Sequence, residues 1–145
     1  MFELDQRLNN DTLTLGHFAL CEVLLMNDAR YPWVILVPRR QGITEIHQLD
    51  VSDQQQLMTE SSFVASKLAA MVHADKMNVA ALGNVVSQLH IHHVARFKID
   101  QTWPAPVWGR GTAVSYSEAE QQAVIYQLQH AFIELMNNGD NNSTL

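Results

Sequence analysis

The chain has 145 residues, 47% hydrophobic and 17% charged, a balance that excludes a disordered chain, a coiled coil or a collagen-like fibre and suits one domain with a single core. Nine basic residues against fifteen acidic leave a net charge of −6 and a pI near 5.5, so nothing in bulk draws the chain to nucleic acid or an anionic membrane, and a phosphate-rich ligand would need a local site. The N-terminal MFELDQRLNN carries charges and no long apolar stretch, and no run approaches the roughly 18 apolar residues of a membrane span, so neither a signal peptide nor a spanning helix is expected and the expected compartment is the cytoplasm.

In chain order, Phe2 to Asn9 fits a short amphipathic helix with Phe2, Leu4 and Leu8 apolar. Leu13 to Met26 is rich in strand formers and reads as one or two strands with a break near Gly16. Asn27 to Arg30 is a polar turn. Trp33 to Val37 is apolar on both faces, which places it centrally in a sheet, and Pro38 ends it. Ser52 and Gln55 match a capping box, and the stripe Leu57, Ser61, Val64, Leu68 and Met71 predicts a helix ending near His73. Met77 to Leu82 reads as a strand, Gly83-Asn84 as a turn and Val85 to Phe97 as the next strand, making a hairpin around 82–85. Asp100 to Gly111, with two prolines and two tryptophans, should be an ordered loop. Ser117 and Glu120 form a second capping box, followed by a helix with Ile125, Leu128, Phe132 and Leu135 on one face, ending near Asn138 with Gly139 as C-cap and residues 140–145 frayed. The order of elements predicts an α+β fold with an antiparallel sheet.

The chemistry-bearing stretch is Gln88-Leu89-His90-Ile91-His92-His93-Val94. On a strand, Gln88, His90 and His92 share one face while Leu89 and Ile91 bury the other. Two imidazoles and an amide on one face can ligate a metal, perform acid-base work, or offer an imidazole nucleophile with donors to phosphate oxygens. A metal site would need a third ligand, for which His17 or His47 is available. No acidic cluster or second histidine pair supports it, and no metal or cofactor is expected. His93 reads as a satisfied core histidine, His73 as a helix-end residue and His130 as a solvated one. Arg39-Arg40 reads as solvated charge, and Cys21 as a small buried apolar residue that cannot form an internal disulfide. Arg96, following the motif, is the better phosphate candidate. Trp103 and Trp108 either stack on a base or anchor their loop against the core.

This pattern resembles the histidine-triad nucleotide hydrolases and transferases, whose motif is His-φ-His-φ-His-φ-φ on a strand, φ being apolar. Gln88 stands in the first histidine place, His90 in the middle, His92 in the last, and His93-Val94 close the motif. WVILVP at 33–38 followed by Arg39-Arg40, a helix at 52–73 and the hairpin at 77–95 follow the family's order, and the likeness covers roughly residues 1–100, so that 1–104 is the expected triad domain and 105–145 a loop and helix packed on it. The resemblance implies that His90 attacks the α-phosphorus of a nucleoside 5′-phosphate derivative to form a nucleotidyl-imidazole intermediate. It implies that His92 donates to phosphate oxygens and orients His90, that Asn27 or Asp28 contacts the ribose, that Asn84 lies near the phosphates, and that the protein is a homodimer. Three positions depart from the pattern: Gln88, which cannot titrate, Val85, where a Ser or Thr is usual, and His93, in a normally apolar place. Such Q-x-H-x-H-H chains resemble bacterial proteins described as diadenosine-tetraphosphate-hydrolase-like. The alternatives are a nucleotide-binding or sensor module without turnover and a metal-dependent hydrolase.

Overall fold

The strand Trp33–Pro38 is buried along its whole length, and the rest of the molecule is arranged around it. The computed structural model describes residues 1–140. They form α1 (Gln6–Asp11), β1 (Thr12–His17), β2 (Cys21–Met26), β3 (Trp33–Pro38), α2 (Val51–Val72), β4 (Lys76–Ala81), β5 (Ile91–Arg96), α3 (Glu118–Ala131) and α4 (Ile133–Asp140). The strands make one five-stranded antiparallel sheet in the order β1-β2-β3-β5-β4, the α+β architecture expected from the element order.

Strand alternation gives the sheet two unlike faces. Val23, Leu25, Val34, Leu36, Ile91 and Ala95 meet the buried stripe Leu57, Val64 and Leu68 of α2, and Leu128 and Phe132 join the same core. The opposite face presents Leu24, Trp33, Ile35, Val37 and Val94, with His92 paired to Ile35. The short helix α1, through Leu8, and the loops that carry Tyr31 and Val107 cover this second face, with Phe2, Leu4 and Trp108 partly buried against it. The helix-backed face is the apolar core, and the opposite face carries His92.

Several boundaries differ from the sequence reading. The first helix is Gln6–Asp11, capped by the Asp5 carboxylate, which accepts from the Arg7 amide at 2.8 Å; Phe2 and Leu4 precede the helix and lie across the sheet. The break near Gly16 is a register shift between Thr14 and Gly16; Gly16 has φ +146°, and a Cβ there would come 2.8 Å from Met136 Sδ. α2 starts at Val51 with Asp50 at the N-cap, so Ser52 lies inside the first turn and forms no cap, because burial of Leu49 fixes the entry and Gln54 N already bonds Asp50 O. His73 closes α2 in the left-handed conformation at φ +54°.

The largest correction concerns 82–90. No hairpin turn lies at 82–85: β4 ends at Ala81, β5 begins at Ile91, and the connection takes its partners elsewhere, Leu89 N bonding Ile43 O at 2.9 Å. The Ser117–Glu120 capping box is present. The helix it opens breaks at Phe132, whose ring sits in the core edge-on to Phe18, and this turn brings Met136 onto Gly16. α4 runs to Asp140, past Gly139, and the fraying expected for the tail lies, apart from Asp140, outside the described residues.

Candidate active site

His92 projects from β5 onto the second face of the sheet, and His90 precedes that strand by one residue. Their rings meet nearly edge to face, centroids 4.8 Å apart, and the two residues are only 5% and 4% exposed. His90 Nδ1 lies 2.6 Å from the backbone oxygen of Gln88. A carbonyl only accepts, so Nδ1 carries the proton and the Nε2 lone pair is left for chemistry. His90 lines a cavity of about 330 Å³ together with Asn84, Ser87, Gln88 and Thr44.

His92 sits among aromatic rings. The Trp33 indole donates to His92 Nδ1 at 3.0 Å, and Trp108 packs edge-on at 5.3 Å between centroids. Burial pushes the His92 pKa down to about 4; the neighbouring His90 and His93 push the same way, and the Leu82 carbonyl opposes them. His92 is therefore a neutral imidazole at physiological pH. His93 faces the other side, as a core histidine should: Nδ1 donates to Val34 O at 3.2 Å, and Nε2 accepts from the Ser61 hydroxyl at 2.7 Å. Burial lowers its pKa to about 4, against the pull of the Val34 and Ile91 carbonyls.

Gln88 does not share a strand face with the histidines. Its side chain turns to the N-terminal segment, Nε2 donating to Glu3 O and Oε1 accepting from Asp5 N, both at 2.8 Å. Asp28 is buried and held by Arg30, with Nε–Oδ1 at 3.0 Å and Nη2–Oδ2 at 2.8 Å. Burial works against its charge, but the Arg30 guanidinium and the Arg30 and Val114 amides outweigh it and hold the carboxyl below its usual range. Asn27 Oδ1 accepts from Tyr116 N at 3.0 Å. Asn27, Asp28, Trp33, Trp108 and Arg110 line a second cavity of about 400 Å³, with the two indoles standing between it and His92. The far wall of this cavity is a loop tied to the 27–30 turn: Ala29 N bonds Val114 O at 2.6 Å, Val114 N bonds Asp28 Oδ1 at 3.3 Å, and Arg30 reaches Arg110 O at 2.9 Å.

Arg96 and Trp103 lie apart from both cavities. Arg96 is buried, its Nε 2.9 Å from Asp100, another guanidinium nitrogen 3.0 Å from Asn78 Oδ1, and its plane between Tyr31 and Trp103. Its charge is consumed by Asp100, whose carboxyl it holds far below the usual range with help from the Phe97, Thr102 and Trp103 amides, so it is not free for a phosphate. Trp103 thus anchors its loop, while Trp108 approaches the histidines. Among the described residues no three His, Cys, Asp or Glu side chains converge as metal ligands; His17 ends β1 and His47 is exposed in the 3-10 turn Ile46–Gln48. Trp33, Ser87 and Thr44 are the site residues the sequence reading missed. For Trp33 the signal was its two-residue spacing from Ile35, which puts it on the face of the strand that pairs with His92.

The HIT domain model matches residues 7–99. A histidine triad protein from Marinobacter aquaeolei VT8 is 50% identical over 93% of this chain and 98% of its own, with a TM-score of 0.91. Histidine triad proteins from Sinorhizobium meliloti 1021 and Bradyrhizobium japonicum are 43% and 45% identical, each over 90% of this chain and 97% of theirs, with TM-scores of 0.88 and 0.87. No curated protein matches. The domain match spans more than half of the chain and contains the paired imidazoles on their antiparallel sheet, and the chain belongs to the histidine-triad family.

Proposed function

We propose that this protein is a hydrolase or nucleotidyl transferase acting at the α-phosphate of nucleoside 5′-phosphate derivatives, such as dinucleoside polyphosphates or nucleoside phosphoramidates. Proteins of this family are generally nucleotide hydrolases or transferases. The observation that carries the reading is the His90 Nδ1 contact to the Gln88 carbonyl, which leaves the Nε2 lone pair free on a ring that lines the cavity. In the proposed step Nε2 attacks phosphorus and an N–P bond forms; with a dinucleoside polyphosphate the P–O bond breaks and its electron pair departs with a nucleoside polyphosphate anion, and with a phosphoramidate the P–N bond breaks and its electron pair departs with the amine, which takes a proton from water. The imidazole becomes cationic, and the Gln88 carbonyl stabilises the charge through the Nδ1 proton. Water or another acceptor then breaks the N–P bond. His92 donates to the phosphoryl oxygens, Asn84 and Ser87 border the phosphates, and Asn27 with Trp108 borders the nucleoside. Asp28, locked to Arg30, is the weaker ribose candidate of the two.

The test is to trap a phosphorus-labelled nucleotide on denatured protein, with His90→Ala as control. Label retained by the wild type and absent from the variant supports the mechanism; turnover abolished by a chelator would instead point to a metal site. A second reading, a nucleotide-binding module without turnover, is favoured by the engagement of Gln88 with Glu3 and Asp5, and it predicts nucleotide binding with no trapped label. We also propose a two-fold homodimer joined through β4, an edge strand of the sheet; a 16.4 kDa species alone in sedimentation at micromolar concentration would count against it.

A further inference from the structure

The two imidazoles of the site are hydrogen-bonded in opposite senses at the same atom. His90 Nδ1 faces a carbonyl oxygen and must donate; His92 Nδ1 faces an indole N–H and must accept. We propose that Trp33 is a positioning residue that fixes His92 in the tautomer bearing its proton on Nε2, so that one ring offers a lone pair to phosphorus while its neighbour offers a proton to the phosphoryl oxygens. This rests on the nucleotide reading above.

An indole nitrogen has no lone pair to offer a second donor. If the His92 proton moved to Nδ1, two N–H groups would oppose each other at 3.0 Å where both residues are buried, and the hydrogen bond between them would be lost. Trp33 has little room to yield. It stands on β3 between β2 and β5, and Trp108 packs edge-on against it at 5.9 Å between centroids. The remaining nitrogen is accounted for as well. Leu82 lines the His90 cavity, and its carbonyl favours a proton on His92 against the push of burial. With Nδ1 accepting from Trp33, the proton of the neutral His92 ring sits on Nε2. The ring that carries this proton lies 4.8 Å between centroids from the His90 ring, which lines the cavity. Gln88, in the first position of the motif, takes no part, since its amide is engaged by Glu3 and Asp5. His92 is oriented from the neighbouring strand across the sheet, not along its own strand.

The experiment uses full-length protein with 15N-labelled histidine and tryptophan. In the wild type, long-range 15N–1H correlation should show a protonated Nε2 and a bare Nδ1 for His92, with a coupling across the hydrogen bond from Trp33 Nε1. In Trp33→Phe the second tautomer should be populated, kcat should fall about tenfold with KM little changed, and the acid limb of the kcat profile should move to higher pH, because Nδ1 is then free to accept a proton. A wild-type His92 protonated at Nδ1, or no coupling to Trp33, overturns the proposal even if Trp33→Phe fails to fold. A folded Trp33→Phe protein that keeps both the single tautomer and its kcat also overturns it. If the wild type turns over no nucleotide conjugate yet shows the tautomer and the coupling, the nucleotide reading falls and the positioning role stands.

Discussion

Gln88 holds Asp5 across eighty-three positions of sequence by a two-point contact, its Oε1 accepting from the Asp5 amide while its Nε2 donates to the Glu3 carbonyl two residues earlier. An amide places donor and acceptor side by side, which matches a backbone carbonyl and the amide two residues on. The nitrogens of an imidazole diverge. Gln88→Ala should therefore release residues 1–5, seen as faster hydrogen exchange at the Asp5 amide. Turnover should fall about tenfold at most, in line with a net hydrogen-bond worth of roughly 0.5–1.5 kcal/mol. Gln88→His, though it completes the histidine motif, should be neutral or harmful to turnover. A rise in turnover would mark Gln88 as a decayed triad member.

The two imidazoles should carry unequal penalties. On the proposed mechanism His90→Ala removes the attacking nitrogen and should bring turnover to background while nucleotide still binds. His92→Ala removes one donor to the charge that grows on the phosphoryl oxygens, a loss that typically costs about 10²–10³ in rate, so measurable activity should survive. Single-turnover kinetics on the two variants checks this order, and equal rates would remove the distinction between nucleophile and donor.

Trp103 and Trp108, five residues apart in one loop, should behave differently. Trp108 touches His92 and Trp33, so Trp108→Ala should weaken binding of a nonhydrolysable nucleotide about tenfold, the worth of an aromatic contact of roughly 0.5–1.5 kcal/mol. Trp103 covers the Arg96 guanidinium at 5.7 Å, so Trp103→Ala should leave binding intact and lower stability by about 1 kcal/mol. Calorimetric titration and thermal melting of both variants separate the two roles.

Stability should depend on pH through His92 and His93, whose pKa values are both pushed down to about 4, chiefly by burial. In the unfolded chain both titrate near 6.5, so between roughly pH 4 and 6.5 the unfolded state binds more protons and stability rises with pH. The contribution is fully present above about pH 6.5 and is lost as pH falls towards 4. Keeping each imidazole neutral over that interval is worth on the order of 3 kcal/mol. Urea midpoints at pH 7 and pH 5 should differ accordingly, and His93→Gln should flatten the dependence. A midpoint independent of pH across that range would show that neither histidine is kept neutral by the fold.

Much of this was legible in the chain itself. Val34 to Val37, apolar on both faces, belongs to the central strand, and Leu57, Val64 and Leu68 form the buried stripe of α2. His90 and His92 were identifiable because a polar motif stands out against apolar neighbours. Where the reading failed, the deciding partner was distant. The 82–90 segment looks strand-like, but Ile43, Glu3 and Asp5 supply its hydrogen bonds. Arg96 looks free until the loop after β5 brings Asp100 back onto it. The contact between Trp33 and His92 depends on strand register, which local pattern does not specify.

The loop that carries Trp108 lies beyond residues 7–99, the span of the domain match, yet it is fastened to the 27–30 turn at Ala29, Asp28 and Arg30. On the proposed function, the catalytic and selective parts are thereby separable along the chain. The histidine pair lies within the matched span, and the far wall of the neighbouring cavity is supplied by a loop outside it with its own docking points. Transplanting residues 100–116 between relatives that share this turn should carry nucleoside preference with the loop while leaving the chemical step in the recipient intact.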